Sequence, residues 1–158
     1  MTNPPASHYP DIGHLGEDLV AQWLQSTGWL ILHRRFFCRW GEIDIIAQYD
    51  DGRVTQNSTL AFVEVKTRSL GNWDFGGRNA ITVKKQTKLW RTAEMFLAQY
   101  PEKADYPCRF DVAIVSCLPV ANNVSQRNST HKPLASSLVA DYEFQLQEYI
   151  VAAFDSIA

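Results

Sequence analysis

The chain has 158 residues, of which 46% are hydrophobic and 12% aromatic, and its formal net charge is −2. A chain of this length forms one domain, here residues 1–158, and buries roughly 70% of the surface that its unfolded form exposes. No apolar run reaches the ~18 residues that a membrane-spanning helix needs, so we expect no membrane partner. The proline-bearing segment 1–12 is predicted to be a flexible tail rather than a signal peptide. Three cysteines without C-x-x-C spacing favour reduced thiols and a cytoplasmic location.

Basic residues are concentrated in the middle of the chain. Residues 34–91 carry eleven Lys/Arg against six Asp/Glu, a local charge of +5, whereas the remainder carries four against eleven, or −7. A basic segment in a mildly acidic protein favours contact with a polyanion such as nucleic acid.

Apolar residues at helical spacing predict a first helix over Leu15–Ser26, which Gly28 is placed to end. Glu17 falls on the inward-facing side of this helix, and Asp18 faces water. An acid in the first turn offsets the helix dipole, which is worth under ~1 kcal/mol. The second interpretation makes Glu17 a third carboxylate of the site described next.

Two segments, 41–46 and 62–68, alternate apolar and polar residues as β-strands do, and Asp50-Asp51-Gly52 marks a turn after the first. They predict an antiparallel hairpin. In the register that places Tyr49 near Leu60, Asp44 falls beside Val65 and Lys66.

Asp44, Glu64 and Lys66 would then meet at the open end of the hairpin, within otherwise apolar strands. Burying a charge costs several kcal/mol unless it is paired or coordinated. Two carboxylates suit a hard cation such as Mg²⁺ or Mn²⁺, and a nearby lysine can orient or deprotonate water. The pattern therefore predicts a phosphodiester-hydrolysing centre with Asp44 and Glu64 as metal ligands. The alternative is that Glu64 and Lys66 form a salt bridge on an exposed strand.

Residues 80–100 give the clearest helical pattern, with Val83 in the predicted buried stripe. Lys84, Lys88 and Arg91 share one face, and Lys85 and Gln86 lie near its border. Such a face is either merely solvated or binds phosphate.

The remaining segments carry less chemistry. Residues 29–32 and 109–116 are predicted strands, and Arg34 and Arg35, which follow the first, face either solvent or phosphate. Segment 119–137 is predicted to be a disordered insertion, because it is rich in Asn, Ser and Thr and lacks periodicity. A fifth strand is predicted at 142–147, followed by a short apolar end at 150–154.

Five short motifs occur in order: G-E at 16–17, G-E-I-D at 41–44, F-V-E-V-K-T-R at 62–68, V-K-K-Q at 83–86 and R-F-D at 109–111. Together they resemble the YraN-like family of bacterial proteins, which is grouped by fold with restriction-endonuclease-like proteins and archaeal Holliday-junction resolvases. The resemblance implies an α/β fold in which a central mixed β-sheet is flanked by helices, with a PD-(D/E)XK core.

The resemblance also implies roles for particular residues. Asp44 and Glu64 would hold Mg²⁺ or Mn²⁺, Lys66 would serve the attacking water, and Glu17 would assist. DNA, branched DNA included, is the expected partner, and a homodimer would suit two-strand cutting. The residues predicted to contact nucleic acid are Arg34, Arg35, Arg68, Lys84, Lys85, Gln86 and Lys88.

Three hypotheses follow from the sequence. The first is a metal-dependent endonuclease acting on DNA. The second is a nucleic-acid-binding protein that keeps the nuclease fold without catalysis, and the third is a partner-binding module on the same fold.

Overall fold

A computed structural model of the chain describes residues 11–52, 58–69, 81–120 and 132–155. In chain order the helices and strands are α1 (Ile12–Ser26), β1 (Leu30–Cys38), β2 (Gly41–Asp50), β3 (Ser58–Ser69), α2 (Val83–Gln99), β4 (Cys108–Pro119), β5 (Ala135–Val139) and β6 (Tyr142–Phe154). Neither helix is long and apolar enough to cross a membrane, as judged over the described ranges.

The strands form one sheet in the order β1-β2-β3-β4-β6-β5. Strands β3 and β4 are parallel, and every other neighbouring pair is antiparallel. A parallel pair needs a long crossover connection, and α2 lies in the connection between β3 and β4. The predicted α/β class, a central mixed sheet flanked by helices, is confirmed.

Each helix covers one face of the sheet with its own hydrophobic core. On the first face, α1 contributes Leu19, Val20 and Leu24, which pack with sheet residues that include Ile45, Val63, Ala113, Val115, Phe144 and Leu146. On the second face, α2 contributes Leu89, Ala93 and Phe96, which pack with Phe36, Ile46, Leu60, Phe62 and Phe110. Both faces of β2 and β3 are covered by hydrophobic core. A charged side chain within the covered part of either strand must therefore be paired or coordinated.

The helix ends follow local signals. Asp11 caps α1, since its side chain accepts a hydrogen bond from the backbone N–H of His14 at 3.2 Å. Gly28, with φ of +100°, follows the end of α1 as predicted, because only glycine adopts such a φ without strain. The predicted tail 1–12 is too long by two residues, since Asp11 and Ile12 belong to the start of α1; residues 1–10 lie outside the described ranges.

The predicted hairpin of β2 and β3 is present, but its register differs by one residue. Gln48 lies opposite Leu60, and Tyr49 lies opposite Thr59. Directly opposed residues share a face of the sheet. Leu60 belongs to the α2-side core, whereas Tyr49 packs against Trp29, which belongs to the α1 side. Tyr49 and Leu60 therefore cannot oppose each other.

Segment 119–137 is not wholly an insertion without structure. Pro119 ends β4 and residues 135–137 begin β5, while residues 121–131 lie outside the described part of the chain. Strand β5 is a sheet edge held by β6, with Ser137 opposite Phe144. Its central serines gave no strand signal, although Ala135 and Val139 at its two ends pack against the core of the α1 side.

Two further expectations are corrected. Val83 is the first residue of α2, is 70% exposed and does not belong to the buried stripe, which begins at Leu89. The apolar residues 150–154 are the last five of the 13 residues of β6, and this strand pairs with β4 as far as Phe154, which lies opposite Phe110.

Candidate active site

The two predicted metal-binding carboxylates lie close together at the point where the pairing between β2 and β3 ends. The β2–β3 ladder has Ile45 opposite Val63 as its last pair, so Asp44 and Glu64 come next on their strands. The Asp44 carboxylate accepts a hydrogen bond from the backbone N–H of Val65 at 2.8 Å. Asp44 thus lies beside Val65, as the sequence predicted, although the register that led to this prediction was wrong by one residue.

Burial and a neighbouring negative charge dominate the electrostatics of Asp44. Burial and the Glu64 carboxylate together raise the pKa of Asp44 to about 8, against the opposing effect of the Val65 N–H. Glu17 and Glu42 contribute to this raised pKa to a smaller extent. Because both effects disfavour a second negative charge, this end of the sheet favours a proton or a cation at Asp44.

Glu64 is paired with two lysines, not one. It is 8% exposed, and its Oε1 lies 3.3 Å from Nζ of Lys66 and 2.8 Å from Nζ of Lys85. Lys66 is the expected neighbour on β3. Lys85 comes from the first turn of α2, where sequence spacing had placed it near the border of the basic face. No local pattern signals this contact, because it depends on how α2 packs across β3.

The two lysines differ in their tendency to hold a proton. Burial and the nearby Lys85 ammonium lower the pKa of Lys66. Burial is the largest single effect on the pKa of Lys85 and acts to lower it, but the interactions with Glu64, Lys66 and Asp44 together outweigh burial and the pKa is raised. Lys66 is therefore the lysine that more readily gives up its proton.

A helix cap positions Lys85. The hydroxyl of Thr82 accepts a hydrogen bond from the backbone N–H of Lys85 at 3.1 Å, which fixes the first turn of α2 above Glu64. The next residue, Gln86, donates from its amide to the carbonyl of Ile81 at 3.2 Å. The positive end of the α2 dipole therefore faces the carboxylates.

Gln86 also lines an apolar pocket beside the carboxylates. The pocket has a volume of about 220 Å³, and Val112, Ile150 and Phe154 form part of its wall. Val112 lies next to Glu64 in the β3–β4 ladder. The pocket therefore adjoins the site, and sequence spacing did not predict it.

Glu17 faces inward, as predicted, and is 7% exposed. Its carboxylate is bound by Arg35, whose Nε lies 2.9 Å from Oε2. A close approach of α1 to β3 at Gly16 sets this position, since a Cβ there would overlap the Thr67 hydroxyl. Glu17 contributes negative potential at Asp44, but its carboxylate is held by a cation of this chain.

The predicted phosphate-contacting residues fall into two groups. Arg34 and Arg35 form ion pairs with α1: Arg34 lies 2.8 Å from Asp18, and Arg35 also lies 3.7 Å from Asp11. Arg35 adopts a φ of +52°, which marks an irregular position in β1.

The second group faces solvent or the candidate site. Lys84 and Lys88 are exposed on α2, and Gln86 is half-buried. Arg68 follows Lys66 by two residues on β3, and its buried Nε has no hydrogen-bond partner among the described residues. A buried donor without a partner is costly, so Arg68 Nε is an unusual feature of this end of β3.

The donor set fits a hard divalent cation. Within the described ranges, no group of three or more His, Cys, Asp and Glu side chains converges. Mg²⁺ needs fewer, because it is often held by one or two carboxylates together with waters and substrate phosphate. Asp44 and Glu64 supply two carboxylates, which suits Mg²⁺ or Mn²⁺.

Comparison with known proteins identifies relatives across nearly the whole chain. Residues 16–115 match the family described as Uncharacterised protein family UPF0102. A UPF0102 protein from Trichormus variabilis is 63% identical over 147 residues, which cover 93% of this chain and 96% of that protein. A UPF0102 protein from Synechocystis sp. is 42% identical over 151 residues, with 91% and 97% coverage. The chain therefore belongs to the UPF0102 family, which confirms the resemblance to the YraN-like family found in its motifs.

Proposed function

We propose that this protein is a Mg²⁺-dependent endonuclease that hydrolyses phosphodiester bonds in DNA, branched DNA included, and that Mn²⁺ supports the same reaction. The observation that carries the proposal is the placement of Asp44 against Glu64 at a buried strand end, with Lys66 3.3 Å from Glu64. A carboxylate whose pKa is raised to about 8 destabilises the fold at neutral pH, so a purely structural role would gain nothing from it. Strongly perturbed groups of this kind cluster at functional sites.

In the proposed reaction, Asp44 and Glu64 hold the ion. A bound Mg²⁺ supplies Lewis-acid polarisation of the phosphoryl oxygen and makes water a better nucleophile. The lowered pKa of Lys66 makes its neutral amine more accessible than that of an ordinary lysine, and this neutral amine accepts a proton from the attacking water. The water oxygen forms the new bond to phosphorus, the bond from phosphorus to the leaving ester oxygen breaks, and that oxygen takes a proton from solvent.

The surroundings of the site suit a phosphate backbone. Arg68 is half-buried on β3, and Lys84 and Lys88 are exposed on α2. The positive end of the α2 dipole adds to the positive potential of these groups, as helix N-termini do at many phosphate sites. These cations lie on the same two elements that carry Glu64 and Lys85.

A second candidate function is DNA binding without hydrolysis. It is favoured by the pairing of Glu64, which already has both Lys66 and Lys85 as counterions and can persist as a static ion-pair network. This candidate predicts DNA affinity that falls with salt, with a slope of about −0.9 per phosphate contact, and that is indifferent to chelator.

The two candidates are separated by cleavage assays on plasmid and four-way-junction DNA with Mg²⁺, Mn²⁺ or EDTA. We expect cleavage by the wild type that EDTA abolishes. Glu64→Gln and Lys66→Met should each reduce it by at least about 10²-fold, the usual contribution of a positioned acid–base group. Glu94→Gln, an exposed acid on α2, is the control and should cut as the wild type does.

Two results decide against the proposal. Cleavage that persists equally in Glu64→Gln and Lys66→Met would show that these residues do not carry the reaction. Absence of cleavage by the wild type, together with DNA binding that EDTA does not change, would establish the second candidate.

A further inference from the structure

We propose that Lys85 is a built-in counterion of Glu64: it holds the place of the divalent ion in the metal-free protein and is displaced when Mg²⁺ or Mn²⁺ binds. The displaced ammonium then joins the surface that receives DNA phosphate. This inference rests on the proposed function, because it assigns the ion to Asp44 and Glu64.

The first argument is competition for one oxygen atom. The Oε1 atom of Glu64 accepts the Lys85 ammonium at 2.8 Å and lies 3.3 Å from the Lys66 ammonium. Mg²⁺ binds carboxylate oxygens at about 2.0–2.1 Å and demands near-octahedral geometry. An ion on this oxygen and the Lys85 ammonium would be like charges a few ångströms apart, and like charges repel strongly at a site shielded from solvent. A bound ion therefore weakens the contact between Lys85 and Glu64.

The second argument is charge balance. When Asp44 is ionised, as ion binding requires, two carboxylates, Asp44 and Glu64, face two ammonium groups, Lys66 and Lys85. Adding a divalent ion without removing a cation would leave this enclosed site with a charge of about +2, which a low-dielectric environment disfavours. Departure of one lysine reduces the excess, and DNA phosphate compensates for what remains.

The third argument identifies which lysine leaves. The side chain of Lys66 is 15% exposed and belongs to the central part of the sheet, whereas the side chain of Lys85 is 38% exposed. Lys85 extends from the first turn of α2, next to the exposed Lys84. A rotation about its flexible stem takes its ammonium from Glu64 to the surface of α2 without moving the backbone.

Lys85 contacts Glu64 in the metal-free protein and, in this proposal, DNA phosphate once the ion is bound. These two contacts couple ion binding to DNA binding. When the ion displaces Lys85, one more cation faces the phosphate backbone, and by reciprocity bound DNA strengthens ion binding by the same factor. Lys85 acts as a positioning and coupling residue, and the reacting atoms remain with Asp44, Glu64 and Lys66.

The test is calorimetric titration of the full chain with Mn²⁺, without DNA. Lys85→Gln removes the competing ammonium, so we expect Mn²⁺ to bind about five- to a hundredfold more tightly than to the wild type, the usual range for coupling between two sites. Lys85→Arg retains a cation at this position and should bind Mn²⁺ within about threefold of the wild type. Lys84→Gln removes the same charge one residue away and should also stay within about threefold, which excludes a general effect of net charge.

The outcomes separate this inference from the proposed function. Mn²⁺ affinity in Lys85→Gln that equals or falls below that of the wild type would overturn the counterion exchange. If Glu64→Gln still abolished binding in that case, the metal site would stand. Absence of Mn²⁺ binding in both the wild type and Lys85→Gln would overturn the site and the inference together. Thermal melting of each variant confirms that the fold is retained.

Discussion

Replacing Asp44 with asparagine should stabilise the metal-free protein at neutral and mildly alkaline pH. The pKa of Asp44 is raised from 3.8 to about 8 by burial and by Glu64, so the folded chain retains a proton that the unfolded chain releases. The stability that depends on this proton is fully present below pH 3.8 and is lost as the pH rises through 8. Asparagine is neutral at every pH and can accept the same hydrogen bond from Val65, which measures 2.8 Å in the wild type.

The size of the effect follows from the two pKa values. The two values differ by about four, and one pKa unit corresponds to about 1.4 kcal/mol. The upper limit of the gain in the free energy of unfolding of Asp44→Asn over the wild type is therefore about 5 kcal/mol at pH 8. Asp44 is only half-buried, and the ammonium groups beside Glu64 offset part of the repulsion. We therefore expect a gain of about 2–3 kcal/mol in the free energy of unfolding at pH 8.

Urea denaturation in EDTA at several pH values between 4 and 8.5 measures this difference. The gain in Asp44→Asn over the wild type should be small near pH 4 and should grow up to about pH 8. Saturating Mg²⁺ should narrow it, because only the wild type binds the ion, and binding at one hundred times Kd adds about 2.7 kcal/mol. Glu94→Gln should change stability by no more than about 0.5 kcal/mol. A loss of stability in Asp44→Asn at pH 8, or a gain independent of pH, would refute the reasoning.

Two further substitutions test the packing around the site. Gly16→Ala should lower the free energy of unfolding by about 1–3 kcal/mol, because the added methyl group overlaps the Thr67 hydroxyl. Gly13→Ala is the control, because a methyl group there meets only an ordinary contact. Equal melting temperatures for the two variants would contradict the packing argument. Tyr149→Phe should lower the free energy of unfolding by about 1–3 kcal/mol, because the fully buried Asp111 loses a hydrogen bond of 2.6 Å. An unchanged midpoint in denaturant titration would show that this hydrogen bond does not contribute to stability.

Local signals in the sequence predicted both helices and every strand except β5. Helical spacing gave both helices, alternation gave the strands that bear Asp44 and Glu64, and Gly28 ended α1 where expected. These features depend on near neighbours along the chain, so a single sequence contains them. The segment 135–137 was missed, because its strand is formed by pairing with β6 and not by its own pattern.

The site was predicted in part. The convergence of Asp44, Glu64 and Lys66 followed from strand alternation, and it survived an error of one residue in register because the ladder ends just before Asp44. The place of Lys85 did not follow, since its distance of 2.8 Å from Glu64 depends on the angle at which α2 crosses the sheet. The ion pair of Glu17 with Arg35 likewise depends on the approach of α1 to β3.

The sequence by itself determined the order of helices and strands, the inward direction of Glu17 and the three groups that could meet at one strand end. Periodicity encodes which face each side chain takes, and that is a local property. Only the tertiary structure decided which cation serves which carboxylate: two lysines for Glu64, and arginines of β1 for Glu17. Such pairing is set by contacts between elements that are far apart in the chain. Burial then determines how strongly the charges of each pair interact.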